Sequence, residues 1–163
     1  MTFNIKYARF IHMIYVFITI LILDQITKLL VSTFLLPYEV IPVCPFFNLV
    51  LLYNKGVSFS FLWGETIWHQ WLLIGLACTI CLVLWNIFKK EKNKINRLAL
   101  VCIISGALGN VIDRIRINKV IDFLDFYIYP YHWPAFNVAD IAISCGAIIL
   151  FFNSFMLQRR KNV

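Results

Sequence analysis

Gly106 to Asp140 reads GALGNVIDRIRINKVIDFLDFYIYPYHWPAFNVAD, and it gathers Asn110, Asp113, Arg114, Asp122, Asp125, Asn137 and Asp140. Four of the chain's eight acidic residues lie in it, Asp113, Asp122, Asp125 and Asp140. Apolar runs flank it on both sides, and its polar groups fall where those runs end. The fold turns on whether these carboxylates form a site or merely finish helices.

Working outward, the whole 163-residue chain is 61% apolar and only 14% charged, with a mean hydropathy of +0.80. Soluble domains average about 45–50% apolar and about 25% charged. This composition predicts an integral membrane protein in one unit, with most of its surface against lipid. The net charge of +7 does not indicate nucleic acid. Ten of the fifteen Lys and Arg fall in three clusters: Lys6 and Arg9; Lys89, Lys90, Lys92, Lys94 and Arg97; and Arg159, Arg160 and Lys161. They flank apolar segments, as cytoplasmic ends do, rather than forming one basic face.

Four spans are expected, at residues 10–34, 66–88, 98–115 and 136–157. The first span must carry Asp24 and Lys28 to reach full length, and the third must carry Asp113. Ser105, Gly106, Ala107 and Gly109 offer small surfaces for close helix approach. Between the first two spans, residues 37–65 hold Pro37, Pro42 and Pro45, then FNLVLLYNKGVSFSF, which reads as short strands around an Asn54-Lys55-Gly56 turn. Residues 89–97 form a basic cytoplasmic turn and residues 116–134 an outer loop. Both termini then lie in the cytoplasm. Arg114, Arg116 and Lys119 on the outer side oppose that topology, but ten basic residues against five favour it. Trp63, Trp68, Trp71, Tyr38 and Tyr53 suit an interfacial aromatic belt.

Depth links the carboxylates. Asp24 lies 15 residues from Arg9, Asp113 lies 16 from Arg97, and Asp140 lies 19 from Arg159. At 1.5 Å per residue these are roughly 22, 24 and 28 Å from the basic anchors. Three helices thus bring an Asp to one level near the outer boundary. A charge at mid-bilayer costs about 2.5–3.5 kcal/mol and marks a functional candidate. Capping by Asn137, with Asp140 in the first turn, is the bland reading for the last helix. Two carboxylates sharing a proton are able to activate water, one as base and one as acid. His12, His69 and His132 are scattered, so neither metal nor cofactor is expected. Lys55, Ser58 and Ser60 lie on a strand-like segment ill suited to a Ser/Lys hydrolase. Cys78-Thr-Ile-Cys81 has redox spacing, but inside a span it reads as packing.

Five pieces in order, DQITK at Asp24–Lys28, YNKG at Tyr53–Gly56, GALGNVIDR at Gly106–Arg114, VIDF at Val120–Phe123 and FNVAD at Phe136–Asp140, resemble lipoprotein signal peptidase (signal peptidase II) over nearly the whole chain. The resemblance implies a bacterial inner-membrane aspartic endopeptidase. Its fold would be an all-α bundle of four transmembrane helices with a small extracytoplasmic β-cradle, acting as a monomer. Its substrates would be prolipoproteins in membrane lipid, cut before the diacylglyceryl cysteine, with no cofactor. Spacing alone leaves Asp122 and Asp125 equal; the family motif selects Asp122 and pairs it with Asp140. Asp24, Lys28, Asn54, Gly56, Asn110, Asp113, Arg114, Phe136, Asn137 and Ala139 match supporting or substrate-binding positions. The family continues Asn-x-Gly with two alanines, where this chain has Val57 and Ser58. The other readings are a proton-coupled transporter using Asp24, Asp113 and Asp140 as a relay, and a non-catalytic lipoprotein-binding factor.

Overall fold

A computed structural model describes residues 2–56 and 67–161. Its elements in chain order are α1 (Thr2–Phe34), β1 (Val40–Cys44), β2 (Phe47–Asn54), α2 (Ile67–Lys90), α3 (Lys94–Ile117), β3 (Val120–Ile128), β4 (Tyr131–His132) and α4 (Val138–Lys161). Four stretches are long and apolar enough to cross a membrane: Ile11–Phe34, Trp68–Lys90, Lys94–Ile117 and Val138–Met156. The expected four-span bundle is therefore present, and its exposed residues are largely Ile, Leu, Val, Phe and Trp.

Helix α3 is the hub. Half of its spanning window is buried, against 11–17% in the other three, and α1, α2 and α4 all pack on it. The low polarity of lipid gives helices no hydrophobic reason to associate, so close packing at small residues must do it. A Cβ on Gly106 would strike the carbonyl oxygen of Ala139, and one on Gly146 would lie 2.6 Å from that of Ala99. Those two glycines set the α3–α4 approach.

The sheet runs in the order β1-β2-β3-β4 and is antiparallel throughout. Strand β3 departs from the outer loop expected at residues 116–134. VIDFLDFYI carries the β-branched and aromatic residues of a strand, yet it pairs with β2, some seventy residues earlier. Only tertiary structure supplies that partner. The turn joining β1 to β2 lies at Pro45 and Phe46, not at Asn54-Lys55-Gly56, which instead ends β2. Val57, Ser58, Ser60 and Trp63 lie outside the described residues. Leu35, Leu51, Ile121 and Phe123 form a buried cluster that fastens the sheet to the bundle.

The basic turn at 89–97 also shrinks, because α2 continues through Lys90 and α3 starts at Lys94. Asn93 caps α3, its side-chain oxygen accepting from the N–H groups of Ile95 and Asn96 at 2.8 and 3.2 Å. Of the expected belt, Trp68, Trp71 and Tyr38 are exposed. Tyr53 instead lies half-buried beneath the Lys119 ammonium, 4.2 Å from its ring centre. The end of α1, the end of α3, the start of α4 and the sheet all meet at one end of the bundle. The α2–α3 connection lies at the other.

Candidate active site

Two polar groups with different chemistry occupy that sheet end, and α3 supplies a residue to each. The first is a buried ion cluster. Lys28 Nζ lies 2.9 Å from Asp24 and 2.8 Å from Asp113, and donates to Asn110 Oδ1 at 2.9 Å. An ammonium has three donors, and all three are used. Asp24 also accepts from the Ala139 N–H at 2.9 Å, and Asp113 from the Ile121 N–H at 3.3 Å. Gln25 bridges the two carboxylates, donating to each at 3.1 Å. All three charged side chains are at most 2% exposed. Charges this deep survive only when paired and fully hydrogen-bonded. The cluster therefore ties α1, α3, β3 and α4 together, and none of its members is free for chemistry.

The second group is a pair of carboxylates, Asp122 on β3 and Asp140 in the first turn of α4. Asp122 accepts from Asn137 Nδ2 at 2.7 Å and from Asn54 Nδ2 at 2.9 Å. Asp140 accepts from Asn110 Nδ2 at 2.8 Å and from the Asn137 N–H at 3.2 Å. The Asp140 N–H in turn donates to Asn137 Oδ1 at 3.0 Å. This is a reciprocal cap. The capping role expected of Asn137 and Asp140 is thus real, and the same two residues also join the carboxylate pair. Capping and the link between the two carboxylates are one arrangement here.

Electrostatics separate the two carboxylates. Asp122 is 3% exposed, and burial pushes its carboxyl up to about 6, with the nearby charge of Asp140 adding to the rise and the amides of Asn54 and Asn137 opposing it. Asp140 is only partly buried. A buried carboxyl raised toward neutrality beside a more open one is the arrangement for acid–base activation of water.

The remaining expected residues surround this pair. Gly56 has φ +79°, a region that suits glycine, and its N–H donates to Asn54 Oδ1 at 2.8 Å, holding that amide toward Asp122. Phe136 pairs with Leu124 through backbone bonds in both directions and stacks on Phe126, with ring centres 5.8 Å apart. Half-buried Arg114 lies within electrostatic reach of Asp122, Asp140 and Asp113, and its Nη1 contacts the Asn110 carbonyl at 3.4 Å. Ala139 is fully buried, with its N–H committed to Asp24.

Asp24, Asp113 and Asp140 do share one level, but they do not form one site. Lys28 takes the first two, which breaks the proton relay on which the transporter reading relied. Asp125 sits apart, held by Asn48 Nδ2 at 2.8 Å and by His132 Nδ1 at 2.9 Å. Gln25 is not among the residues expected from the sequence, although an amide beside an Asp inside a span is itself a signal. Cys78 and Cys81 are free thiols, as packing residues are.

The family described as Signal peptidase (SPase) II matches residues 16–156. A lipoprotein signal peptidase of Aeromonas hydrophila is 44% identical over 146 residues, covering 87% of each chain. One from Cupriavidus necator is 42% identical over 142 residues, covering 86% of this chain and 81% of the relative. A solved bacterial membrane enzyme superposes with a TM-score of 0.79 at 29% identity, over 87% of this chain and 91% of that one.

Proposed function

The chain belongs to the signal peptidase II family, and from that premise we propose that Asp122 and Asp140 are its two catalytic carboxylates. The protein is a multi-pass membrane peptidase that cleaves lipoprotein signal peptides. The observation that carries the residue assignment is the amide pair Asn110 and Asn137, which serves both carboxylates at once.

Asp122 reacts in its protonated form, which burial makes accessible near neutral pH by raising its carboxyl from 3.8 to about 6. It donates to the scissile carbonyl oxygen as Asp140 takes a proton from water, whose oxygen attacks the carbonyl carbon. The tetrahedral adduct collapses when Asp140 gives that proton to the leaving nitrogen and Asp122 recovers its own from the adduct hydroxyl. The peptide bond breaks and the dyad returns to its starting state. Lys28 holds Asn110, and through it Asp140, without touching substrate. Asn54, Gly56, Arg114 and Phe136 line the approach and meet the substrate backbone and headgroup region.

The dyad works at the extracytoplasmic face, with both termini in the cytoplasm, as the ten-to-five distribution of basic charge favours. There it meets a precursor already held by its signal helix and acyl chains, and cuts before the lipidated cysteine. Every residue of this scheme comes from one chain, so a monomer suffices. The test is a pair of precursors, one carrying the diacylglyceryl cysteine and one with that cysteine unmodified, incubated with the purified protein and resolved on a gel. Cleavage of the lipidated precursor alone is expected; both precursors remaining intact would refute the reading.

A further inference from the structure

At the bundle end opposite the dyad, α1, α2 and α3 enclose a groove of about 430 Å³ with wholly apolar walls. Phe17 forms its α1 side, Cys78 to Phe88 its α2 side, and Val101 to Leu108 its α3 side. Leu82 and Trp85 stand exposed at its rim, toward the lipid. The volume is that of a small-molecule site. Its depth is more telling. Ten residues of α2 separate Cys78 from Phe88, which is about 15 Å of helix, and half of a hydrocarbon core about 30 Å thick is the same length. The groove therefore has the reach of one acyl chain in one leaflet.

Its mouth is cationic. The Arg97 guanidinium lies 4.4 Å from the ring centre of Phe88, which lines that end of the groove. Arg97 Nε is buried and has no hydrogen-bond partner, and among the described residues Arg97 makes no ion pair. Lys89, Lys90 and Lys94, on the same α2–α3 connection and its flanking turns, are exposed. Glu91, the one acid close in sequence, is half-buried and engaged locally, accepting from the N–H groups of Lys92 and Asn93 and from Asn96 Nδ2. A donor left unanswered beside an acyl-length groove at a leaflet edge suits a phosphate.

We propose that this groove binds one anionic glycerophospholipid, with an acyl chain between α1, α2 and α3 and the phosphate on Arg97. The Cys78-Thr-Ile-Cys81 motif then serves as small apolar wall on the face of α2 that meets the chain. The site's phosphate end at Arg97 lies 13 residues of α3, about 20 Å, from Asn110 beside the dyad, and the proposal does not depend on the assignment of Asp122 and Asp140.

Trp85 provides the readout. In a variant keeping Trp85 and carrying Phe at Trp63, Trp68, Trp71 and Trp133, fluorescence is measured in vesicles of phosphatidylcholine doped with brominated-chain phosphatidylglycerol, then with brominated-chain phosphatidylcholine. Quenching should show a preference for the anionic lipid, and Arg97→Gln should lower it by about fivefold, the effect of roughly one basic side chain at a membrane surface, leaving the share of the exposed lysines. Equal quenching by the two lipids, or a preference unchanged by Arg97→Gln, overturns the proposal. Native mass spectrometry with added phosphatidylglycerol gives a second reading on the chain with all five tryptophans. The unsubstituted chain should retain one lipid that Arg97→Gln loses; retention by both, or by neither, contradicts the proposal.

Discussion

Asn137 Nδ2 donates to Asn110 Oδ1 at 3.2 Å, and each of these amides also donates to one of the two carboxylates, Asn137 to Asp122 and Asn110 to Asp140. The carboxylates are thereby set by the same two side chains. Substituting Asn137→Ala frees Asp122 on one side and uncaps α4 on the other. Because misplacement of about 1 Å can cost about 10²-fold, kcat for a lipidated precursor should fall by about that factor with KM little changed. Steady-state kinetics on the purified variant checks it.

The pH dependence follows from Asp122. Its carboxyl is raised from 3.8 to about 6, chiefly by burial. A carboxyl raised on folding adds stability at low pH, and that contribution is lost as pH climbs through about 6. The active form carries the same proton, so kcat/KM should decline above about 6 in the free enzyme. Asn54 favours the ionised form through its 2.9 Å hydrogen bond. Asn54→Ala should therefore move the alkaline limb to higher pH, whatever it does to the maximum rate. A limb that stays in place or moves down would remove Asn54 from this role.

Lys28 neutralises two carboxylates that are otherwise sealed from water. Taking one partner from a buried ionic group costs about 3–5 kcal/mol. Lys28→Met should lower unfolding stability in detergent by about that amount, and Lys28→Met combined with Asp24→Asn should recover part of it. Denaturant titration followed by tryptophan fluorescence measures both.

Helix approach offers a contrast between two glycines. A methyl group on Gly106 would run into the Ala139 carbonyl, one residue before Asp140, whereas one on Gly75 meets nothing within 4 Å. Overpacking typically costs about 1–3 kcal/mol. Gly106→Ala should lose stability in that range and lose cleavage as well, because α4 carries Asp140 away from Asp122. Gly75→Ala, at an open position inside a helix, should leave the rate unchanged and should not lower the thermal midpoint.

The membrane class, the four spans and the level of Asp24, Asp113 and Asp140 were legible because hydropathy and helix rise are local properties. The division of those carboxylates was not. Lys28 lies one turn from Asp24 and 85 positions before Asp113, so its double pairing depends on how α1 and α3 cross. Strand β3 reads as loop in the sequence because its partner β2 lies on the far side of two helices in the chain. The same distance hides the Asn54–Asp122 bond. Asn137 shows the opposite case: its capping role is readable from three residues of sequence, and its second role beside Asp122 appears only once β3 is placed. Asp125 carries a strand-like pattern and an acidic charge just as Asp122 does. What differs is the partner across the sheet, Asn48 rather than Leu52.

That contrast gives the most direct measurement of the central claim: the rate at which Asp122→Asn, Asp140→Asn and Asp125→Asn proteins cut a lipidated precursor in detergent, with thermal unfolding recorded for each. Asp122→Asn and Asp140→Asn should each be folded and without detectable cleavage. Asp125→Asn, which disturbs only the Asn48 and His132 contacts, should still cut. Cleavage at the unsubstituted rate by either of the first two proteins would contradict the dyad.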